Sequence, residues 1–389
     1  MQINNNFQKN ANISMVAQLL WKVPGISRVE IARRLDLYRS TVSNIINTLI
    51  ENKVVFEEKE GDAMPQGGRK PIFLGLNERF GCVLGLELQP SGFHAVVLNV
   101  FGTPLLSRSA ALPDVPFNET VESIIDGIMP SIKATGMPLL GICVGLPGIV
   151  DAVGGRIVKS DPFRLTDHDF SKPFAARYGV PVLVENDANC LAWYELANNR
   201  GNDLKNFVCL NTEYQTEGAR FGETTGMSVG IGVAIGGAVY PGSRHAAGEF
   251  VSHSWRAGAH GQTGIDPELM RRVRTDEAAF AAWTVDLFGS FLPVIAVLDP
   301  ESVFVHGELA RRGESVREIL AARVPQFGAI MERTGCELRF GTGDDCLVAA
   351  GAAQMFYMNL FSVPACSSNE LGTALDWDSV FAITARHRA

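Results

Sequence analysis

The sequence predicts an α/β protein headed by a winged helix-turn-helix, on three observations. Between Ile13 and Leu49 apolar residues recur at helical spacing, interrupted at Pro24-Gly25 and again from Asp36 to Tyr38. Two short apolar runs, Val54-Val55-Phe56 and Ile72-Phe73-Leu74, then bracket a glycine-rich basic loop. From Gly81 onward, strand-like runs alternate with helical ones.

Taken in order, Ile13, Val16, Leu19 and Leu20 mark the first helix. Ser27 and Glu30 form a capping box for the second, Val29 to Leu35: the hydroxyl accepts the N–H three residues on and the carboxylate reaches back. The third helix buries Val42, Ile45, Ile46 and Leu49 and turns Arg39, Ser40, Thr41, Ser43 and Asn44 outward. Short hydroxyls permit close approach to a major groove, Asn44 suits adenine, and Arg39 suits guanine or a phosphate. Tyr38 is a poorer cap for this helix than Ser or Asp. A merely solvated face is the plainer alternative. The two strands of the wing flank Gln66-Gly67-Gly68-Arg69-Lys70-Pro71, where Arg69 could enter a minor groove and Lys70 meet phosphate. A tip that touches phosphates only is the other reading.

Charge follows the same division. Residues 1–80 hold 11 Lys and Arg against 8 Asp and Glu, net +3, leaving −11 for the rest of a 389-residue chain whose total is −8. Only the head suits a polyanion, which argues against general coating of nucleic acid. The length allows two or three domains. Seven cysteines without paired spacing fit reduced thiols in a cytoplasm. No apolar signal core opens the chain, and no uninterrupted apolar run approaches a membrane span.

In the body, Cys82 to Leu88 and His94 to Val100 read as consecutive strands, Val121 to Ile132 as a helix, and Leu139 to Val144 as a buried strand. A further strand, Val180 to Val184, leads into Glu185-Asn186-Asp187-Ala188-Asn189. Ligands of α/β folds collect at such strand ends.

Three strings now resemble a known family. Gly-Leu-Pro-Gly-Ile-Val-Asp at 145–151, Val-Glu-Asn-Asp-Ala-Asn at 184–189 and Ala247-Gly248-Glu249 resemble the ROK family of sugar kinases and sugar-responsive repressors. The winged head with its Gly-Gly-Arg-Lys-Pro segment looks like the repressor branch, so the likeness covers nearly the whole chain. It implies a two-lobed, actin-like, sugar-kinase-like (ribonuclease H-like) body with sugar held between the lobes. The implied division is a head at 1–78, a first lobe at 79–192 joined by a terminal helix at about 360–389, and a second lobe at 193–359 carrying pocket and dimerisation.

The kinase elements depart from the family pattern. Where Asp-x-Gly-Gly-Thr is usual, the chain has Glu87-Leu88-Gln89-Pro90-Ser91, and Pro90 has no N–H to offer a phosphate. Val229 to Gly237 keeps several glycines but lacks the Gly-Thr-Gly start, and could equally be a tight strand turn. His306-Gly307-Glu308 puts a carboxylate where a nucleotide would need close backbone approach. No catalytic residue is therefore assigned, and no cofactor.

By resemblance, Asn186, Asp187, Glu249 and His253 are the sugar-binding residues, although His253 follows Glu249 by four residues where three is usual. Amide and carboxylate groups suit vicinal hydroxyls. An alternative role for Asp187 is to cap the helix from Ala188 to Leu196. The family's zinc-binding cysteines are missing between Trp255 and Asp266, so no metal is assigned; His245, Glu249, His253 and His260 as ligands is the alternative, against loop histidines beside a polar pocket. Ser160 to Arg164 matches the family's sugar loop poorly, and Asn211 to Met227 reads as an insertion between strands. The expectation is a cytoplasmic, dimeric or tetrameric repressor that binds double-stranded operator DNA and a sugar or sugar phosphate. Two rivals stay open: an active ATP-dependent sugar kinase with a DNA-binding head, and a regulator controlled by a partner protein.

Overall fold

The structure is a computed structural model that describes residues 5–60, 72–202, 204–215, 226–257, 261–363 and 375–388. Arg69, Lys70 and His260 lie outside the described residues, as does 216–225.

The head comprises α1 (Asn5–Lys22), β1 (Ile26–Ser27), α2 (Arg28–Leu35), α3 (Arg39–Glu51), β2 (Val55–Glu60) and β3 (Ile72–Leu76), its strands ordered β1-β3-β2. Ser27 caps α2 by accepting from the Glu30 N–H at 3.4 Å. The other half of the expected box does not form. The Glu30 carboxylate accepts from Arg33 and Arg34 instead, and two guanidiniums outcompete one backbone amide. Asp36, at φ 51°, closes α2 in the left-handed region. No side chain caps α3 at Tyr38.

The body contains two five-stranded sheets of like design. The first uses β4 (Cys82–Gln89), β5 (Gly92–Asn99), β6 (Pro104–Ala110), β7 (Leu139–Leu146) and β11 (Val182–Asn186), with α4 (Phe117–Ala134) between β6 and β7. Between β7 and β11 come β8 (Ile149–Asp151), β9 (Arg156–Ser160) and β10 (Leu165–Asp169), which form a small sheet of their own, and α5 (Ser171–Tyr178). Helix α6 (Asp187–Asn198) leads to the second large sheet: β12 (Phe207–Gln215), β13 (Gly226–Ile235), β14 (Ala238–Val239), β15 (Ser302–Val305) and β16 (Glu337–Phe340). Around it lie α7 (Pro267–Arg271), α8 (Glu277–Leu298), α9 (Gly313–Arg323) and α10 (Pro325–Thr334); α11 (Leu347–Phe361) and α12 (Trp377–Arg388) end the fold.

In both sheets an antiparallel hairpin, β4–β5 or β12–β13, continues into two parallel strands, β7 and β11 or β15 and β16. Each sheet therefore presents the carboxyl ends of its parallel strands along one edge, where a ligand can sit. Helices α6 and α11 pack on one another between the sheets, so the implied divisions at 192 and 359 fall inside them: α11, placed with the second lobe by sequence, packs on β4 and β7 of the first sheet.

Two local expectations change. Residues 211–215 and 226–227 are not an insertion but the paired ends of β12 and β13, from Asn211↔Gly230 to Gln215↔Gly226. The glycine-rich run from Val229 is likewise strand. A Cβ at Gly232 would meet the Ala188 carbonyl oxygen at 2.3 Å, so its glycine lets α6 lie directly on β13.

Helix α8 qualifies the expectation about apolar runs, because by length and composition alone it could cross a membrane. In the fold its Phe280, Trp283, Leu287, Phe288 and Phe291 enter the second-sheet core, and Asp286 within it accepts from Thr263 Oγ1 at 2.6 Å. The six described cysteines are unpaired.

The head is packed into the body. Ile13, Val16, Leu20 and Trp21 of α1 share one core with Tyr357 and Phe361 of α11 and Trp377 of α12. Trp21 Nε1 donates to the Val100 carbonyl at 2.9 Å, Ser14 Oγ to the Leu360 carbonyl at 2.9 Å, and Trp377 Nε1 to Ser14 Oγ at 3.1 Å. Phe361 lies against both Trp21 and Trp377, with ring centroids at 4.9 and 5.7 Å.

Candidate functional site

The cleft takes its functional groups from strand ends and one helix start. Asn186, last in β11, caps α6: its Oδ1 accepts from the Asn189 N–H at 3.1 Å, and its Nδ2 donates to the Gly148 carbonyl at 2.9 Å. Asp187 is thus the first helical residue and not the cap. Its Oδ1 accepts from the Ala188 N–H at 2.8 Å. Its Oδ2 accepts from Gln89 Nε2 at 3.4 Å, across from β4.

Gln89 gathers more than Asp187. Its Nε2 also faces Glu213 Oε1 of β12 at 3.0 Å and Glu87 Oε1 of its own strand at 3.3 Å. Three carboxyl groups, from β4, β12 and the first residue of α6, thus converge on one amide, where they cannot all be ionised without strong repulsion. Burial, then Glu213 and Asp187, push Glu87 well above the usual carboxylate range. Burial and then Asp187 push Glu213 up to about 8. Burial raises Asp187 as well, against the hydrogen bonds it accepts. Neither Gln89 nor Glu213 is foreseeable from sequence, because the amide belongs to a departed motif and the carboxylate lies at the end of a strand read as insertion.

Glu249 is exposed and held beside β13 by a bridge with Gly230. The backbone before it has one solution: Gly248 sits at φ +91°, and a Cβ there would meet the Ile231 carbonyl oxygen at 1.7 Å. Partial desolvation, then Asp187 and Asp161, raise the Glu249 carboxyl.

His253 is arranged differently. Its Nδ1 meets Ser290 Oγ of α8 at 2.7 Å, within a network that includes Ser252, Ser254, Thr263 and Asp286. His245 faces Asp151 at 3.8 Å. Among the described residues, no three His, Cys, Asp or Glu groups come together to hold a metal.

Beyond Gln89, a cavity of about 300 Å³ is lined by Glu87, Glu213, Arg274, His306, Glu308 and Arg311, among others. The Glu308 carboxylate is there as the sequence places it, and it pairs with Arg274 and, at 3.1 Å, with Arg311.

On the head, Arg39, Ser40 and Asn44 of α3 are exposed and Thr41 and Ser43 half-buried. Ser43 Oγ donates to the Arg39 carbonyl at 2.8 Å, which leaves its lone pairs for an incoming donor. Tyr38 stands 84% exposed beside Arg39, a DNA-facing candidate that its poor capping chemistry concealed.

Residues 84–257, which include the strand ends around this cleft, match the model of the ROK family. That segment carries a ROK family domain. Its relatives include the xylose repressor of Lactiplantibacillus pentosus, 26% identical over 77% of this chain and 81% of that protein. Another is the xylose repressor of Staphylococcus xylosus, 30% identical over 64% of this chain and 61% of that one. The chain spans about three fifths of the length of several such relatives. Among solved structures, a ROK family transcriptional regulator homologous to the E. coli MLC protein matches 98% of this chain and 100% of its own, with TM-score 0.71 and 14% identity. A ROK family glucokinase from Streptomyces griseus, in complex with glucose and AMPPNP, covers 71% of this chain and 99% of its own at TM-score 0.56 and 17% identity. The ROK body therefore has the two-lobed, actin-like sugar-kinase fold, and the first solved structure extends the likeness through the head.

Proposed function

We infer that this chain is a transcriptional repressor that reads operator DNA with α3 and its wing and releases it when a sugar of the xylose class enters the ROK cleft. The observation that carries the reading is the packing of a winged helix-turn-helix, through α1, onto a ROK body whose relatives are xylose repressors. Asn186, Asp187 and Glu249 supply the amide and carboxylate groups for hydroxyl recognition, with His253 as the outermost candidate. Asn44 and Arg39 address base edges, Ser40, Thr41 and Ser43 the adjacent backbone, and Arg69 and Lys70 the neighbouring groove. A near-palindromic operator and a homodimer go with this mode of binding.

The nucleotide side favours a sensor over a kinase. The β4–β5 hairpin turns at Pro90-Ser91 with no glycine cradle, and Gln89 holds three carboxyl groups where phosphates would need cations and amides. The arginines nearby are committed to Glu308 and, for Arg311, also to Asp345.

Thermal unfolding with D-xylose, other aldoses, sugar phosphates and ATP tests the reading. Xylose should raise Tm, and Asp187→Asn and Glu249→Gln should abolish the shift while remaining folded. An ATP-dependent shift together with phosphorylation of the sugar would establish a kinase; a shift from no sugar would favour control by a partner protein.

A further inference from the structure

Helix α6 touches both ends of the proposed switch. Its first residue is Asp187, in the cleft, and its cap is Asn186. Just beyond its last turn, the Arg200 guanidinium lies 4.8 Å over the ring of Trp21, on α1 of the head. Twelve helical residues span about 18 Å, so one element bridges the cleft and the head.

The surroundings make α6 a rigid strut. Nine of its residues are buried, from Asp187 to Ala197, between α11 on one side and β13 on the other. Close-packed helices shift as bodies and do not bend residue by residue. Arg200 belongs to the same body, because its Nη1 donates to the Ala197 carbonyl at 2.8 Å. Trp21, part of α1, is 4% exposed in the core that α1 shares with α11, and its Nε1 donates to the Val100 carbonyl at the end of β5.

We propose that α6 is the mechanical link between cleft and head, and that the stacking of Arg200 on Trp21 is the contact through which ligand occupancy reaches α1. The inference rests on the reading of the cleft as a sugar site. A hydroxylated ligand that takes up the Asn186 amide and the Asp187 carboxylate competes with their present partners, Gly148 and Gln89, and so reseats the first turn of α6. The displacement arrives at Arg200. There a guanidinium over an indole tolerates sliding but loses attraction quickly when lifted from the ring face. Because α1 supports α2 and α3 through the shared head core, its shift reorients the DNA-facing helix. Arg200 is in this sense a coupling residue and touches neither ligand.

Hydrogen exchange of the full chain, followed by mass spectrometry with and without D-xylose, separates the possibilities. In the unaltered protein, xylose should protect the segment from β11 into α6 and change exchange in the second half of α1 about fivefold or more. Arg200→Ala should keep the cleft protection and the xylose-dependent rise in Tm but lose the response in α1. Arg200→Lys, which restores a cation over the ring, should recover part of it. An α1 response of equal size in Arg200→Ala overturns the proposal, as does an unaltered protein protected in the cleft but unchanged in α1. If xylose protects nothing and leaves Tm unmoved, the reading of the cleft fails, and this inference falls with it.

Discussion

Replacing Glu213 by glutamine should flatten the pH dependence of stability between about pH 5 and pH 8. Burial and then the Asp187 charge push the Glu213 carboxyl from its ordinary 4.5 to about 8. Between those values the folded chain holds a proton that the unfolded chain has released, so stability falls as pH rises. The gap is worth on the order of 5 kcal/mol, present in full below about pH 4.5 and lost as pH climbs through 8. Glu87, Asp187 and Glu185 are shifted in the same direction, each first by burial, and add to the slope. Glutamine keeps the acceptor that faces Gln89 Nε2 while removing one titrating proton, so the slope should drop by about 1.4 kcal/mol per pH unit. Urea unfolding of both proteins at pH 5.5, 6.5 and 7.5 measures this. An identical slope in the variant would mean that the proton is not held at Glu213, and the account of three carboxyls sharing one amide would be wrong.

Gly248→Ala should lower stability by about 1–3 kcal/mol and abolish the xylose-induced rise in Tm, since the new Cβ collides with the Ile231 carbonyl and displaces Glu249; a retained shift in calorimetry would contradict it. Asn44→Ala should weaken operator binding by about 1–3 kcal/mol and relax preference at one base position, read by selection from randomised DNA; unchanged preference would remove Asn44 from base contact. Trp377→Ala should cost about 3–5 kcal/mol, because the ring is 1% exposed between Phe361 and Phe381 and its Nε1 bonds Ser14. A loss under 1 kcal/mol by urea titration would show that α12 is not a clamp on α1.

Much of the fold was legible because local physics decided it. Ser27 could be read as a cap since its hydroxyl acts three residues away, and β4, β7 and β11 are apolar runs buried on both faces. The misreadings share a cause, which is dependence on distant partners. Glu30 met two arginines that competed for it, and Gly232, in a run that sequence left open between a phosphate loop and a strand turn, makes room for α6 on β13. In the cleft, Asp187 and Glu249 stood out as motif residues, whereas Gln89 and Glu213 gain meaning only when the sheets face each other. The α1 seam was equally hidden, because Ser14 and Leu360 are 346 residues apart.

That seam bears on how binding sites could diverge in evolution. With α1 bonded to β5's end and to α11, a head cannot swing on a tether to find its DNA. In an assembly of two copies, the distance between half-sites would then be a property of the body, while the letters proposed to be read at each half-site belong to the head, chiefly α3. Spacing and spelling can change independently: exchanging α3 between relatives should move a regulator to new promoters without altering the geometry those promoters must offer.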